Sequence, residues 1–168
     1  MRLNSTEYIR NKANELINRY HTRNADILAH EMDIIIQYSH FKEQKAAYIV
    51  IERNRFIILK DDLPDPMRSI VILHEIGHDQ LHRSEASTFK EYSIFDMTGK
   101  TMEYEANLFA AHIMLPDADV IDYMKQGYSV AQIASAMNTD TNLVALKAAD
   151  LTTRGFSLQV PEYEKSFL

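Results

Sequence analysis

Apolar residues recur along the chain at two different spacings, and the changes between them outline the elements. Ile9, Ala13, Leu16, Ile17 and Tyr20 repeat at helical intervals and predict a first helix over about 5–20. Asn4 and Glu7 stand at capping-box spacing at its start. A short second helix is expected from Asn24 to Glu31. Three apolar segments follow, Asp33–Tyr38, Ala46–Ile51 and Phe56–Leu59, the last two separated by the polar run Glu52-Arg53-Asn54-Arg55. They predict a small antiparallel sheet with one tight hairpin. The stretch from Asp61 to Pro66 is a break, and Pro66 suits the first turn of a new helix.

That next helix, expected over 67–83, is apolar almost all round through Ile70, Val71, Ile72, Leu73 and Ile76. A helix of this kind is buried, and burial makes its polar residues conspicuous. Residues 84–100 have no clear period, with Met97-Thr98-Gly99-Lys100 read as a turn. A loop of that length in a compact domain often forms a lid or a substrate rim. A second mostly apolar helix spans Thr101–Leu115 and stops at Pro116. Three further helices are expected at about 117–126, 129–137 and 140–151, then a tail containing Pro161.

The polar residues inside the first buried helix read His74-Glu75-Ile76-Gly77-His78. Four residues apart on a helix, His74 and His78 lie about 40° apart around the axis and roughly 6 Å along it, so one ion is within reach of both. Glu75, about 100° round the same cylinder, can contact a water on that ion. Two zinc ligands and a general base in this spacing point to metalloprotease chemistry.

Composition narrows the alternatives. The 168 residues contain no cysteine, so zinc would be held by histidine and carboxylate alone. A net charge of −6 argues against a broad phosphate-binding surface, and direct nucleic-acid binding is not expected. The N-terminus opens into an amphipathic pattern without an apolar signal region. No stretch approaches the roughly 18 apolar residues of a membrane span. A cytoplasmic protein is the expectation.

A catalytic zinc site takes three protein ligands and leaves a position for water. His82 lies about 12 Å along the axis from His74, too far to share an ion comfortably, and suits supporting packing instead. Position 84 is Ser, so the third histidine of a metzincin is absent. The better source is Glu103-Tyr104-Glu105-Ala106-Asn107, on the second apolar helix. Its wheel leaves Glu103 and Glu105 open, because both flank the Met102/Ala106/Phe109/Ile113 stripe. His112, seven residues after Glu105, tilts the polar edge towards Glu105.

The His74–His78 block, then Glu103-Tyr104-Glu105-Ala106-Asn107-Leu108-Phe109-Ala110-Ala111 and Met114-Leu115-Pro116, resembles the ImmA/IrrE family of bacterial metallopeptidases. The resemblance covers roughly 65–116 and implies an α+β, zincin-like fold. Its pattern places the zinc ligands on His74, His78 and Glu105 and the catalytic acid on Glu75, leaving Glu103 as a flanking acid. His112 stands where the family usually has an acidic residue. Residues 1–116 would form the metallopeptidase domain, and 117–168 a helical region packed on it. Family members lie beside helix-turn-helix repressors, and several cleave that partner. The resemblance therefore implies a zinc-dependent endopeptidase acting on a repressor of a mobile element or stress response. The competing expectation is a non-proteolytic zinc protein that binds a repressor and changes its affinity for DNA.

Two features stay open at this level. A second electrophile for the oxyanion could come from Tyr92, His82 or His112. The segment from Gln132 to Val144 has helix-turn-helix rhythm, but its second helix offers only Lys147 as an obvious cation, bracketed by Asp140 and Asp150. A helical hairpin that packs on the core or grips the repressor is the expectation there.

Overall fold

In a computed structural model, the structure describes residues 5–83, 88–91 and 101–156. They form two compact units, divided at Met114/Leu115. The first opens with α1 (Ser5–Tyr20) and α2 (Ala25–Glu31). The side chain of Asn24 caps α2 by accepting from the Ile27 N–H. The expected cap at Asn4 lies outside the described residues.

Strands β1 (Ile34–Ser39), β2 (Ala46–Ile51) and β3 (Asn54–Lys60) fall where the three apolar segments were expected, and a fourth, β4 (Thr88–Glu91), joins them. Strand order is β1-β3-β2-β4. The β2–β3 hairpin turns on Glu52 and Arg53, whose φ values of 47° and 70° are the left-handed pair a two-residue hairpin demands. The sheet is mixed, not wholly antiparallel, because β1 pairs with β3 in parallel. An apolar run marks a strand but not which neighbour it takes, so the pattern does not reveal this pairing. β4 is antiparallel to β2 and lies inside the stretch expected to be a loop. The expected turn at 97–100 lies outside the described residues.

Helix α3 (Met67–Leu81) crosses the sheet against β2 and β3, and α4 (Thr101–Met114) packs on both α3 and α1. Every α3 residue from Ile70 to Asp79 is buried, as its all-round apolar character requires. Tyr48, Ile57 and Leu59 of the sheet are fully buried with it. Polar contacts tie down both ends of α3. At its start, Arg68 makes a bidentate pair with Asp26 at 2.6 and 2.7 Å and donates to the Tyr38 hydroxyl. Near its end, the buried carboxylate of Asp79 accepts from Tyr48 Oη, from Arg55 at 3.0 Å and from Arg83 at 2.7 Å. Burial, then the bond to Asp79, pushes the Tyr48 phenol well above its usual range, so it remains a donor.

The second unit contains α5 (Asp117–Lys125), α6 (Val130–Ala136) and α7 (Thr141–Thr153). Ser129 and Gln132 form a full capping box on α6, and Asp140 caps α7. Lys147, the cation that helix-turn-helix rhythm put forward, is 1% exposed and ion-paired with Asp117. It is therefore not available to a phosphate backbone. Arg154 reaches the other oxygen of Asp117 at 2.6 Å and Asp150 at 3.2 Å.

Burial acts to raise the Asp117 carboxyl, but hydrogen bonds from Arg154 and Lys147 outweigh it and hold the group down to about 2. A depressed carboxylate stabilises the fold above its unfolded value of 3.8, and that contribution is lost as pH falls through about 2. Asp117→Asn should therefore lower stability at neutral pH and flatten the acid limb of unfolding between those values. Helical circular dichroism in an acid titration measures it; an unchanged acid limb would contradict the assignment.

Candidate metal centre

The site is assembled where α3 and α4 cross. A Cβ built on Gly77 would lie 3.1 Å from both Cα and O of Ala106 and 3.3 Å from the Phe109 ring. Two of those neighbours are backbone atoms, which cannot rotate aside. Glycine at 77 is thus the condition for α4 to approach this closely. Glu103 lies one turn before Ala106 and Asn107 directly after it, so the same contact aims both at α3.

His74, His78 and Glu103 meet there, each offering one ligand atom. Nε2 of His74 is 3.0 Å from Nε2 of His78. The Oε2 of Glu103 is 3.4 Å from the first and 3.6 Å from the second. Both imidazoles are fully buried, and the Glu103 side chain retains 12% of its exposure. Tetrahedral zinc with bonds of 2.0–2.1 Å separates its N and O donors by about 3.3 Å. The three separations bracket that value, and the site fits a divalent cation.

The outer ring atoms support the same conclusion. His74 Nδ1 lies 2.8 Å from Asn107 Oδ1, a carbonyl oxygen that only accepts, so Nδ1 carries the proton and Nε2 the lone pair. Burial, against the opposing pull of Glu103, pushes His78 down to about 4 and keeps it neutral at neutral pH, as a ligand must be. Glu75, one residue beyond His74, is fully buried on the same helix.

The structure does not bring Glu105, the acid favoured by the resemblance, to the imidazole pair. Its Oε2 is 2.9 Å from His82 Nε2, and its Oε1 accepts from Ser5 Oγ at 2.8 Å. Glu103 takes the place beside the two histidines. The wheel cannot decide this, because the deciding contact is Gly77 on Ala106, a feature of two helices together. His112 misleads for the same reason: it is buried in the last turn of α4, about 13 Å along the axis from Glu103. His82 stands beside His78 from one turn further on. Tyr92 lies outside the described residues. Asn107 has no role in the sequence reading, although its spacing of four from Glu103 marks a shared helix face.

Residues 29–148 match the family described as the IrrE N-terminal-like domain, a family of peptidases. The chain belongs to it. Among its relatives, a Bacillus phage phi105 protein named uncharacterized immunity region protein 2 is 33% identical over 134 residues, 79% of this chain and 84% of that one. Metallopeptidase ImmA of Bacillus subtilis (strain 168) is 30% identical over 102 residues, 59% of this chain and 58% of that protein. Membership fits the zincin-like α+β architecture and the buried His-His-Glu group. It makes the chain a member of a metallopeptidase family. No described helix is long and apolar enough to cross a membrane.

Gly77→Ala tests the crossing. The added methyl meets backbone, at a cost of about 1–3 kcal/mol that outweighs the roughly 1 kcal/mol gained from helix propensity. Urea unfolding should show a net loss, with weaker metal retention in the folded fraction. Unchanged stability and retention would mean that the close approach is not required.

Proposed function

We propose that this chain is a zinc-dependent endopeptidase whose substrate is a helix-turn-helix repressor, with His74, His78 and Glu103 holding the metal and Glu75 as catalytic acid and base. The observation that carries this reading is the triangle of donors at 3.0, 3.4 and 3.6 Å beside a buried glutamate on the same helix. Two imidazoles and one carboxylate, with no cysteine in the chain, are a donor set suited to zinc. Three protein ligands leave a position open, as a catalytic site requires and a structural one does not.

When bound, zinc supplies Lewis acidity to an attacking water and to the scissile carbonyl. The protein's part is positional and protonic. His74 and His78 present Nε2 lone pairs, and Glu103 presents Oε2 from the neighbouring helix. The Glu75 carboxylate accepts the proton of the water as its oxygen bonds to the carbonyl carbon. It then delivers that proton to the departing amide nitrogen as the C–N bond breaks. A protein that only bound a repressor would have no use for such a base, which favours the enzyme over the non-proteolytic alternative.

The repressor as substrate is supported by the resemblance to the ImmA/IrrE family and by the similarity to a phage immunity region protein. A transcriptional repressor works on DNA in the bacterial cytoplasm, and on this reading its peptidase acts there too.

Co-incubation with purified helix-turn-helix repressors, starting with any encoded in the neighbouring reading frames, followed by mass mapping of fragments, tests the reading. Cleavage should require metal and stop with a chelator. Glu75→Gln should retain zinc by elemental analysis yet lose at least about 100-fold in rate, the scale of general acid–base catalysis. His78→Ala and Glu103→Gln should lose both zinc and cleavage. Full proteolysis by Glu75→Gln would overturn the mechanism.

A further inference from the structure

Beyond the triad, a line of hydrogen bonds runs from α1 through α4 to the far side of His78. Ser5 Oγ donates to Glu105 Oε1 at 2.8 Å, and Glu105 Oε2 lies 2.9 Å from His82 Nε2. His82 Nδ1 in turn lies 3.2 Å from His78 Nδ1. The His82 ring is 4% exposed, its centroid 5.3 Å from that of His78.

The chemistry gives this line a direction. A carboxylate only accepts, so the His82 Nε2 facing Glu105 carries a hydrogen. In a neutral ring Nδ1 is then bare and must accept, which makes His78 Nδ1 the donor. His78 Nε2 is left with its lone pair turned towards His74 and Glu103. His74 reaches the same state through one bond to Asn107, whereas His78 reaches it through two bonds ending on a carboxylate.

We propose that Glu105 and His82 are positioning residues of the metal centre: a relay, anchored on α1 by Ser5, that holds His78 in its Nδ1–H tautomer with Nε2 aimed at the ion. The proposal rests on the reading that His74, His78 and Glu103 hold a metal. It gives Glu105 a supporting role in place of a ligand's. Outer partners of this kind orient the ring and raise the ligand's basicity, and their loss typically weakens binding about 10–100-fold.

The test uses the full chain and zinc, with affinity read by chelator competition and the His78 tautomer by long-range ¹H–¹⁵N correlation in metal-free protein. His82→Leu and Glu105→Gln should each weaken zinc about 10–100-fold while keeping its stoichiometry. In His82→Leu, His78 should become a mixture of tautomers. His82→Asn places a carbonyl oxygen near the position of Nδ1, so it should restore the His78 tautomer and much of the affinity. This near-isosteric variant keeps the test decisive should His82→Leu not fold. Wild-type affinity and tautomer in both His82→Leu and Glu105→Gln would overturn the relay, as would an Asn variant no better than Leu. Abolished binding in Glu105→Gln with binding kept in Glu103→Gln would also overturn it, making Glu105 the ligand. If the wild type binds no zinc, the metallopeptidase reading fails by itself, and the tautomer shift in His82→Leu still decides the relay.

Discussion

The contact of Gly77 with the backbone of Ala106 is the constraint on which the site depends. A Cβ at position 77 would stand 3.1 Å from Ala106 Cα and O, so a side chain there would push the two backbones apart by a few tenths of an ångström. This approach converts two separate apolar helices into a single polar pocket. It places Glu103 opposite the two imidazoles and Asn107 behind one of them.

Such a pocket is costly inside a core, because buried imidazoles and carboxylates lose water on folding. The surrounding structure offsets that cost by giving the clustered side chains directed partners and by immobilising α3 at both ends. Arg68 anchors its beginning to α2 and β1 through Asp26 and Tyr38. Asp79, gripped by Arg55 and Arg83, fixes its final turns to the sheet. Between these anchors, Ile70 to Leu73 and Ile76 supply the apolar burial that holds the helix in the core. Side chains on so rigid an element keep their geometry without reorganisation, as a preorganised site requires.

Much of this is legible in the residues alone. Helical spacing outlines all seven of the described helices to within a few residues, and the burial of α3 follows from its apolar circumference. The meeting of His74 with His78 needs only the helix repeat. What escapes are properties of elements meeting one another. The parallel pairing of β1 with β3 depends on strand order, which apolar runs do not encode. β4 gives no signal because a four-residue edge strand is too short to show a period. The choice between Glu103 and Glu105 turns on one helix–helix contact, so a wheel drawn for α4 by itself is bound to leave it open. Lys147 looks like a surface cation in sequence, yet Asp117, thirty residues earlier, draws it into the interior.

Anomalous diffraction at the zinc absorption edge, on crystals of the full chain grown with zinc, tests the central claim most directly. One strong peak should appear within bonding distance of His74 Nε2, His78 Nε2 and Glu103 Oε2, with Glu105 remaining on His82. A peak ligated by Glu105 instead of Glu103, or no peak between the two imidazoles, would contradict the account.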